Sequence, residues 1–260
     1  ELRRLAAPLV ARLLRLEGDG AQPRLKALVS LLVADGSRRS AAQLLISEFA
    51  AEDLSLAGRL LVLDALAGAA RELSNNVELP ELPEDQGSYA AGAAQKPKAP
   101  ELGTFGKTRR FASATRVPES LPNRFASELR YFLMPLVARW QQPDQGCARW
   151  ATSEATLVAA LLRCLGVLLE CAGCASPDRD AAASECLAVS SEALTHADPH
   201  VRRCSLFLLS RVLLVGCELM VFERPEILSE LEASPFREGD ETCRRMAAGI
   251  LACLSKYTLL

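Results

Sequence analysis

Four residues of this sequence have the types, and part of the spacing, of zinc ligands. Cys171 and Cys174 are separated by two residues, and His196 and His200 follow later in the chain. A structural zinc site needs four ligands in a tetrahedron, so the helices carrying these residues would have to converge. No second cysteine pair with this spacing exists. Burial accounts for Cys171 and a turn between helices accounts for both histidines, so we predict no metal site.

A second pattern, Gly106-Lys107-Thr108, matches the end of a phosphate-binding P-loop. That motif needs another glycine where Glu101 stands, and a strand where Pro97 and Pro100 stand. A nucleotide-dependent enzyme is therefore the weakest interpretation of the chain, and we predict no cofactor site.

Catalysis by a serine or cysteine nucleophile would need His196 or His200 as the base. Both histidines lie in the sequence His-Ala-Asp-Pro-His, where a turn between helices explains polar residues. Asp64 lies among apolar residues of a helical pattern, and we expect it to pair with a neighbouring arginine. The sequence therefore predicts no catalytic residue and no enzyme activity.

The composition favours an all-α protein. Half of the 260 residues are hydrophobic, only 5% are aromatic, and leucine and alanine, the strongest apolar helix formers, predominate. The net charge is −2 and no basic stripe is present, which argues against direct nucleic-acid binding. The longest uninterrupted apolar run, Ala155 to Leu162, is shorter than a membrane span. The apolar pattern begins with the first residues, so we expect the chain to be a fragment.

All nine cysteines lie between Cys147 and Cys253. Their odd number and irregular spacing do not make a disulfide framework, and they indicate a reducing compartment, the cytosol or nucleus. Six of them lie in apolar helical patterns and are expected to act as small hydrophobic residues: Cys164, Cys171, Cys186, Cys204, Cys217 and Cys253.

Helical periodicity covers the chain outside one segment. Ser40 with Gln43 has capping-box spacing, and Asp198-Pro199 is typical of an N-cap followed by proline at the first helical position. One helix is expected to bury a stripe of Leu56, Leu60, Leu63, Ala67 and Ala70. The predicted helices span 2–16, 24–34, 40 onward, 53–73, 123–140, 152–171, 177–194, 198–215, 225–231 and 240–256.

The exception is 74–122, where prolines and glycines alternate and few apolar residues remain. The early part of this segment is acidic and the later part is basic. We predict a flexible linker over 74–122 between a first helical solenoid segment, 1–73, and a C-terminal HEAT-like segment, 123–260.

An internal match gives the architecture. Asp198-Pro-His-Val201-Arg202-Arg aligns with Asp240-Glu-Thr-Cys243-Arg244-Arg at an offset of 42 residues. This offset lies in the period of HEAT and armadillo units, whose helix pairs must stack to bury their apolar faces. We predict an α-solenoid of HEAT-like antiparallel helix pairs, with a plain helical bundle as the alternative. The structural repeat residues are Asp198, Val201, Arg202, Asp240, Cys243 and Arg244.

A partner-binding stretch lies near the end of the predicted linker. Its residues are basic and aromatic, and they are expected to dock on an acidic groove or on the chain's own solenoid. The alternative is a solvated run of charges. The residues are Lys107, Arg109, Arg110, Phe111, Asn123 and Phe125.

Several short motifs resemble the telomere-length-regulation (Tel-two) family. Leu61–Ser74 is similar to the family's helix before its linker, and Gly106–Phe111, Asn123–Phe125 and Tyr131–Leu136 resemble the stretch after it. The segment 198–202 suits the family's C-terminal helices, and the motifs occur in the family's order.

The resemblance implies a paired α-solenoid that is a subunit of the three-subunit TTT cochaperone complex. That family supports the maturation of the phosphatidylinositol-3-kinase-related kinases with heat-shock protein 90 and its adaptor complex. It also implies roles in telomere maintenance and the DNA-damage response, and a cytoplasmic location with a nuclear pool. Family members carry a phosphoserine in an acidic linker, but Ser88 precedes Tyr-Ala-Ala-Gly, so this site is not carried over. A HEAT adaptor for transport or the cytoskeleton is the alternative.

Overall fold

The computed structural model describes residues 2–16, 20–34, 38–51, 53–74, 123–141 and 154–257. Within these ranges the chain forms eleven α-helices and no strand. The helices are Leu2–Arg15 (α1), Ala21–Val33 (α2), Arg38–Phe49 (α3), Leu56–Ser74 (α4), Leu129–Gln141 (α5), Ala155–Ala172 (α6), Arg179–Leu194 (α7), Pro199–Leu214 (α8), Glu218–Phe222 (α9), Pro225–Arg237 (α10) and Glu241–Leu254 (α11).

The helices form two rows. Helices α1, α3, α5, α7 and α10 contact one another in that order, and α2, α4, α6, α8 and α11 do the same in the second row, called here the even row. Each helix of the first row also contacts its sequence neighbour in the even row, as α1 contacts α2 and α10 contacts α11. The described residues are therefore a stack of five helix pairs. This arrangement confirms the prediction of an all-α solenoid, and the HEAT assignment of its repeats stays a prediction.

The described residues before and after the segment 75–122 belong to one compact unit. Helix α4 contacts α6, and α3 contacts α5, so the stack continues between helices on the two sides of the predicted linker. Ser74 is the last residue of α4, and the rest of the predicted linker, 75–122, lies outside the described residues.

Helix α6 is the centre of the stack. It contacts α4 and α8 in its own row and α5 and α7 in the other, which buries 13 of its 18 residues. By length and composition it is the one helix in the described ranges that is long and apolar enough to cross a membrane, but 72% of it is buried inside the protein. Contact with neighbours on several sides explains its apolar sequence. The apolar run in the sequence is shorter than the helix, because Arg163 interrupts it.

Four features of the helices differ from the prediction in detail. Helix α3 begins at Arg38, so Ser40 lies inside it and does not cap it. Pro177 lies in the turn before α7, and α9 was not predicted. In α4, Leu63 and Ala70 of the predicted stripe are buried, but Leu56 is 39% exposed, and the buried residues also include Val62, Leu66, Ala69 and Leu73. Helix α4 packs against both α2 and α6, so residues on more than one side of this helix are buried.

The cysteines divide into two groups. None of the eight cysteines in the described ranges forms a disulfide, and six are buried. Burial raises the pKa of the Cys164 thiol to about 12, so this thiol is inert at neutral pH. Cys253 is exposed, contrary to the prediction, because it lies on the side of α11 that borders an open cleft.

Gly166 lets α8 approach α6 closely. A Cβ atom on Gly166 would lie 2.6 Å from Cε1 of Phe207, which real side chains do not tolerate. We expect Gly166→Ala to displace the Phe207 ring and to lower the free energy of unfolding by about 1–2 kcal/mol, measured by urea denaturation.

The matched control is Gly249→Ala in α11, where a Cβ atom would meet nothing within 4 Å. This change should raise stability slightly through helix propensity. Adding Phe207→Ala should remove most of the cost of Gly166→Ala. An equal cost of Gly166→Ala with and without Phe207 would contradict the contact.

Candidate partner-binding surface

The six residues Asn123–Glu128, called here the junction turn, lead the chain into α5. The Asn123 side-chain N–H donates to the carbonyls of Cys171 (2.8 Å) and Ala172 (3.2 Å), among the last carbonyls of α6, which lack partners in their own helix. The Asn123 side-chain oxygen accepts from the backbone N–H groups of Phe125 (2.9 Å) and Ala126 (3.2 Å). The Asn123 side chain therefore has two roles: its oxygen stabilises the junction turn, and its N–H group caps the C-terminal end of α6.

The rest of the junction turn fastens the ends of other helices. The Arg124 N–H donates to the carbonyl of Leu73 in α4 at 3.1 Å, and the Ser176 hydroxyl donates to the carbonyl of Ala126 at 2.7 Å. Phe125 is fully buried, and its ring meets Phe132 edge to face with centroids 5.2 Å apart. The turn thus connects α4, α6 and the start of α7.

Glu128 fixes the other end of the junction turn to α3. It is 8% exposed and accepts two hydrogen bonds from Arg39, at 2.8 and 3.2 Å, while Arg38 lies 3.7 Å away. The Arg39 guanidinium also lies 4.0 Å from the ring centre of Tyr131. The hydrogen bond with Glu128 raises the pKa of Arg39, so the Arg39 guanidinium stays charged at neutral pH.

The structure describes only two of the six residues predicted to bind partners. Asn123 and Phe125 make the contacts above within the chain, and the other four, Lys107, Arg109, Arg110 and Phe111, lie outside the described residues. Partner binding by this set stays a prediction. Sequence reasoning missed the contacts of Glu128 with Arg38 and Arg39. Each contact joins residues 89 or more positions apart, and a single sequence does not reveal such a pairing.

The two repeat copies begin adjacent helices of the even row. The Asp198 carboxylate accepts from the His200 N–H at 2.7 Å, and the Asp240 carboxylate accepts from the Thr242 N–H at 3.0 Å, as N-caps do. Val201 and Cys243 occupy the same buried position. The Cys243 thiol donates to the carbonyl of Pro199, the first residue of α8. The predicted match therefore corresponds to matching local structure.

Arg202 joins the turn before α8 to the turn before α11. Its guanidinium donates to the carbonyls of His196 (2.6 Å) and Ala197 (2.7 Å), and makes two hydrogen bonds to Glu238, at 2.5 and 2.7 Å. These bonds hold the pKa of Glu238 below its ordinary value of 4.5. In the second copy, Arg244 pairs instead with Glu241 of its own helix at 2.5 Å.

One ion pair crosses each of three successive steps of the even row. Arg163 in α6 lies 3.8 Å from Asp64 in α4, and Arg211 in α8 lies 3.3 Å from Glu170 in α6. Arg203 in α8 lies 3.3 Å from Asp240 before α11. The pair with Asp64 confirms the partner predicted for that residue.

Arg211 also lies 4.5 Å from the ring centre of Phe207. We call Asp64, Arg163, Glu170, Phe207 and Arg211 the even-row face.

The candidate zinc and catalytic residues have other contacts. The Nδ1 atom of His196 accepts from the Asp198 N–H at 3.0 Å and so stabilises the turn before α8. Cys171 is buried, whereas Cys174 is exposed. In the part of the chain that the structure describes, no three His, Cys, Asp or Glu side chains are grouped closely enough to hold a metal ion.

A stack of helix pairs with a mixed-charge face is typical of proteins that bind other proteins. The chain is similar to two curated proteins, each named telomere length regulation protein TEL2 homolog. The identity is 29% over 254 residues for the one from Xenopus tropicalis and 28% over 253 residues for the one from Xenopus laevis. These similarities confirm the resemblance predicted from the sequence motifs.

Each similarity covers 88% of this chain but 30% of the relative, so the chain spans about a third of the length of the curated relatives it matches. No family model and no solved structure matches the chain.

Replacement of Glu128 tests the junction turn. Glu128→Gln should lower the Tm by several degrees, because it removes the buried charge that accepts two hydrogen bonds from Arg39. The control Asp53→Asn removes a carboxylate from an exposed pair with Arg15 and should leave the Tm unchanged. Equal thermal shifts in the two variants would contradict a structural role for Glu128.

Replacement of Glu238 tests the second junction and its pH dependence. Because the folded-state pKa of Glu238 is lowered, its stabilisation is present above about pH 4.5 and is lost as the pH falls below that value. Glu238→Gln should therefore cost about 2 kcal/mol at pH 7 and progressively less in acid, measured by urea denaturation. The control Glu241→Gln, in an exposed pair, should cost less than about 0.5 kcal/mol. A cost for Glu238→Gln that is independent of pH would exclude the charged pair as its cause.

Proposed function

We propose that this chain is part of a non-enzymatic scaffold of the TTT cochaperone complex. In this role it supports the maturation and stability of phosphatidylinositol-3-kinase-related kinases with heat-shock protein 90 and its adaptor complex. The observation that carries the proposal is the similarity to two TEL2 homologs over 88% of the chain. Telomere length regulation, stated in the names of those relatives, is proposed for this protein as a consequence of the same activity.

The fold supports a scaffold because each helix pair adds surface along the stack. The even-row face carries both signs of charge at intervals along the row, with Asp64 and Arg163 more than half exposed. Such a pattern suits a protein partner with the opposite arrangement of charges better than a polyanion such as nucleic acid. The predicted absence of enzyme activity is part of this proposal.

A cytoplasmic location with a nuclear pool accords with the cysteines. Six described thiols are buried among apolar side chains, and the described residues contain no disulfide, as expected of a chain that folds in a reducing compartment. A HEAT adaptor in transport or cytoskeletal regulation has the fold in its favour but not the similarity, and we therefore place it second.

Affinity capture tests the proposal directly. The tagged chain, expressed in cells of its source, should recover the other two TTT subunits and the giant kinases, identified by mass spectrometry. Arg163→Glu should reduce this recovery at least tenfold, because it reverses an exposed charge on the even-row face.

The control Arg245→Glu makes the same change at a position that is 72% exposed on α11, outside this face, and should leave the recovery unchanged. Absence of TTT subunits and kinases from the wild-type capture, with transport or cytoskeletal proteins in their place, would contradict the proposal.

A further inference from the structure

An apolar cleft of about 530 Å³ lies between α8 and α11. We call it the α8–α11 cleft. Its apolar lining comes from Leu206, Leu213, Leu214, Met246, Ile250 and Cys253. The apolar surface is accessible, since Leu214 is 57% exposed. A Cβ atom on Gly249, which also borders the cleft, would meet nothing within 4 Å. There is thus open space between the two helices.

The first turns of the same two helices are closely joined. The Cys243 thiol donates to the carbonyl of Pro199 at 3.5 Å, and Arg203 lies 3.3 Å from Asp240. The apolar lining residues belong to the later turns of these two helices. Polar contacts therefore fix the spacing of the two helices at one end, and the apolar cleft lies beyond it.

Glu218 gives the cleft a charge. One carboxylate oxygen of Glu218 accepts a hydrogen bond from the Tyr257 hydroxyl at 2.8 Å, and both residues line the cleft. This hydrogen bond raises the pKa of Tyr257, which keeps the hydroxyl a donor. Within the described residues no cation forms an ion pair with Glu218, in contrast to Glu170 and Asp64 on the even-row face. The cleft is thus apolar along its walls and negative where Glu218 stands.

We infer that the α8–α11 cleft binds an amphipathic α-helix of a partner protein, which inserts apolar side chains from one stripe and brings an arginine or lysine to Glu218. Charge complementarity selects the basic residue, because Glu218 accepts from the neutral Tyr257 hydroxyl and forms no ion pair in the part of the chain that the structure describes. A cleft between two helices also accepts a third helix by the packing of side-chain ridges into grooves. The inference goes beyond the proposed function, since it holds whether or not the partner is a TTT subunit.

A displayed library of helical peptides, selected against the folded chain, tests the inference. Selected peptides should share apolar residues at i, i+4 and i+7 and one arginine or lysine near that stripe. Their binding to purified protein, measured by fluorescence anisotropy, should weaken at least tenfold with Leu214→Arg, which places a charge in the cleft. The control Leu9→Arg makes the same change at a leucine of α1 that is 43% exposed and does not line the cleft, and it should leave binding unchanged.

A charge exchange identifies the role of Glu218. Glu218→Lys should weaken the selected peptides, and peptides whose basic residue is replaced by glutamate should bind this variant better than the wild-type chain. Circular dichroism of each variant shows whether its helices remain folded. The inference is overturned if selection yields no peptide, if Leu214→Arg binds the peptides as tightly as the wild type, or if the charge exchange restores nothing. It is also overturned if phosphatidylserine vesicles, and not the peptides, occupy the cleft.

Discussion

The stack depends on the way the chain enters α5 through the junction turn. Four of its six residues each hold one other element: Glu128 holds α3, Arg124 holds α4, Asn123 holds α6, and Ala126 holds the turn before α7. Because both the buried carboxylate and the asparagine amide are satisfied by hydrogen bonds, the turn can lie against the core without an unpaired polar group. The continuity of the two rows, from α3 to α5 and from α4 to α6, follows from this arrangement.

The same principle recurs at the second junction, where Arg202 joins the turns before α8 and α11. In both places an arginine donates two hydrogen bonds to one carboxylate. A pair of this kind fixes the relative orientation of the two side chains in addition to attracting them. The apolar core supplies most of the stability, while these junctions determine which helices become neighbours. A protein built in this way presents side chains along a row, as a scaffold for other proteins requires.

The sequence predicted the class of fold because leucine and alanine periodicity reports burial directly. Asp198 was predicted correctly as an N-cap, since an N-cap depends on residues close in sequence. The stripe in α4 was predicted only in part: Leu63 and Ala70 are buried, but two neighbouring helices also bury residues on other sides of that helix. Glu128, Arg38 and Arg39 could not be found, because a contact across 89 residues leaves no local pattern. Glu218 was missed for the same reason, since its partner Tyr257 is 39 residues away.

The central claim is that residues on both sides of 78–122 form one stack. The most direct measurement is size-exclusion chromatography of a folded chain with a specific protease site inserted in that segment, before and after cleavage. The account predicts that the two fragments elute together at the position of the intact chain and unfold in one cooperative transition. Elution of two separate fragments under native conditions would contradict it.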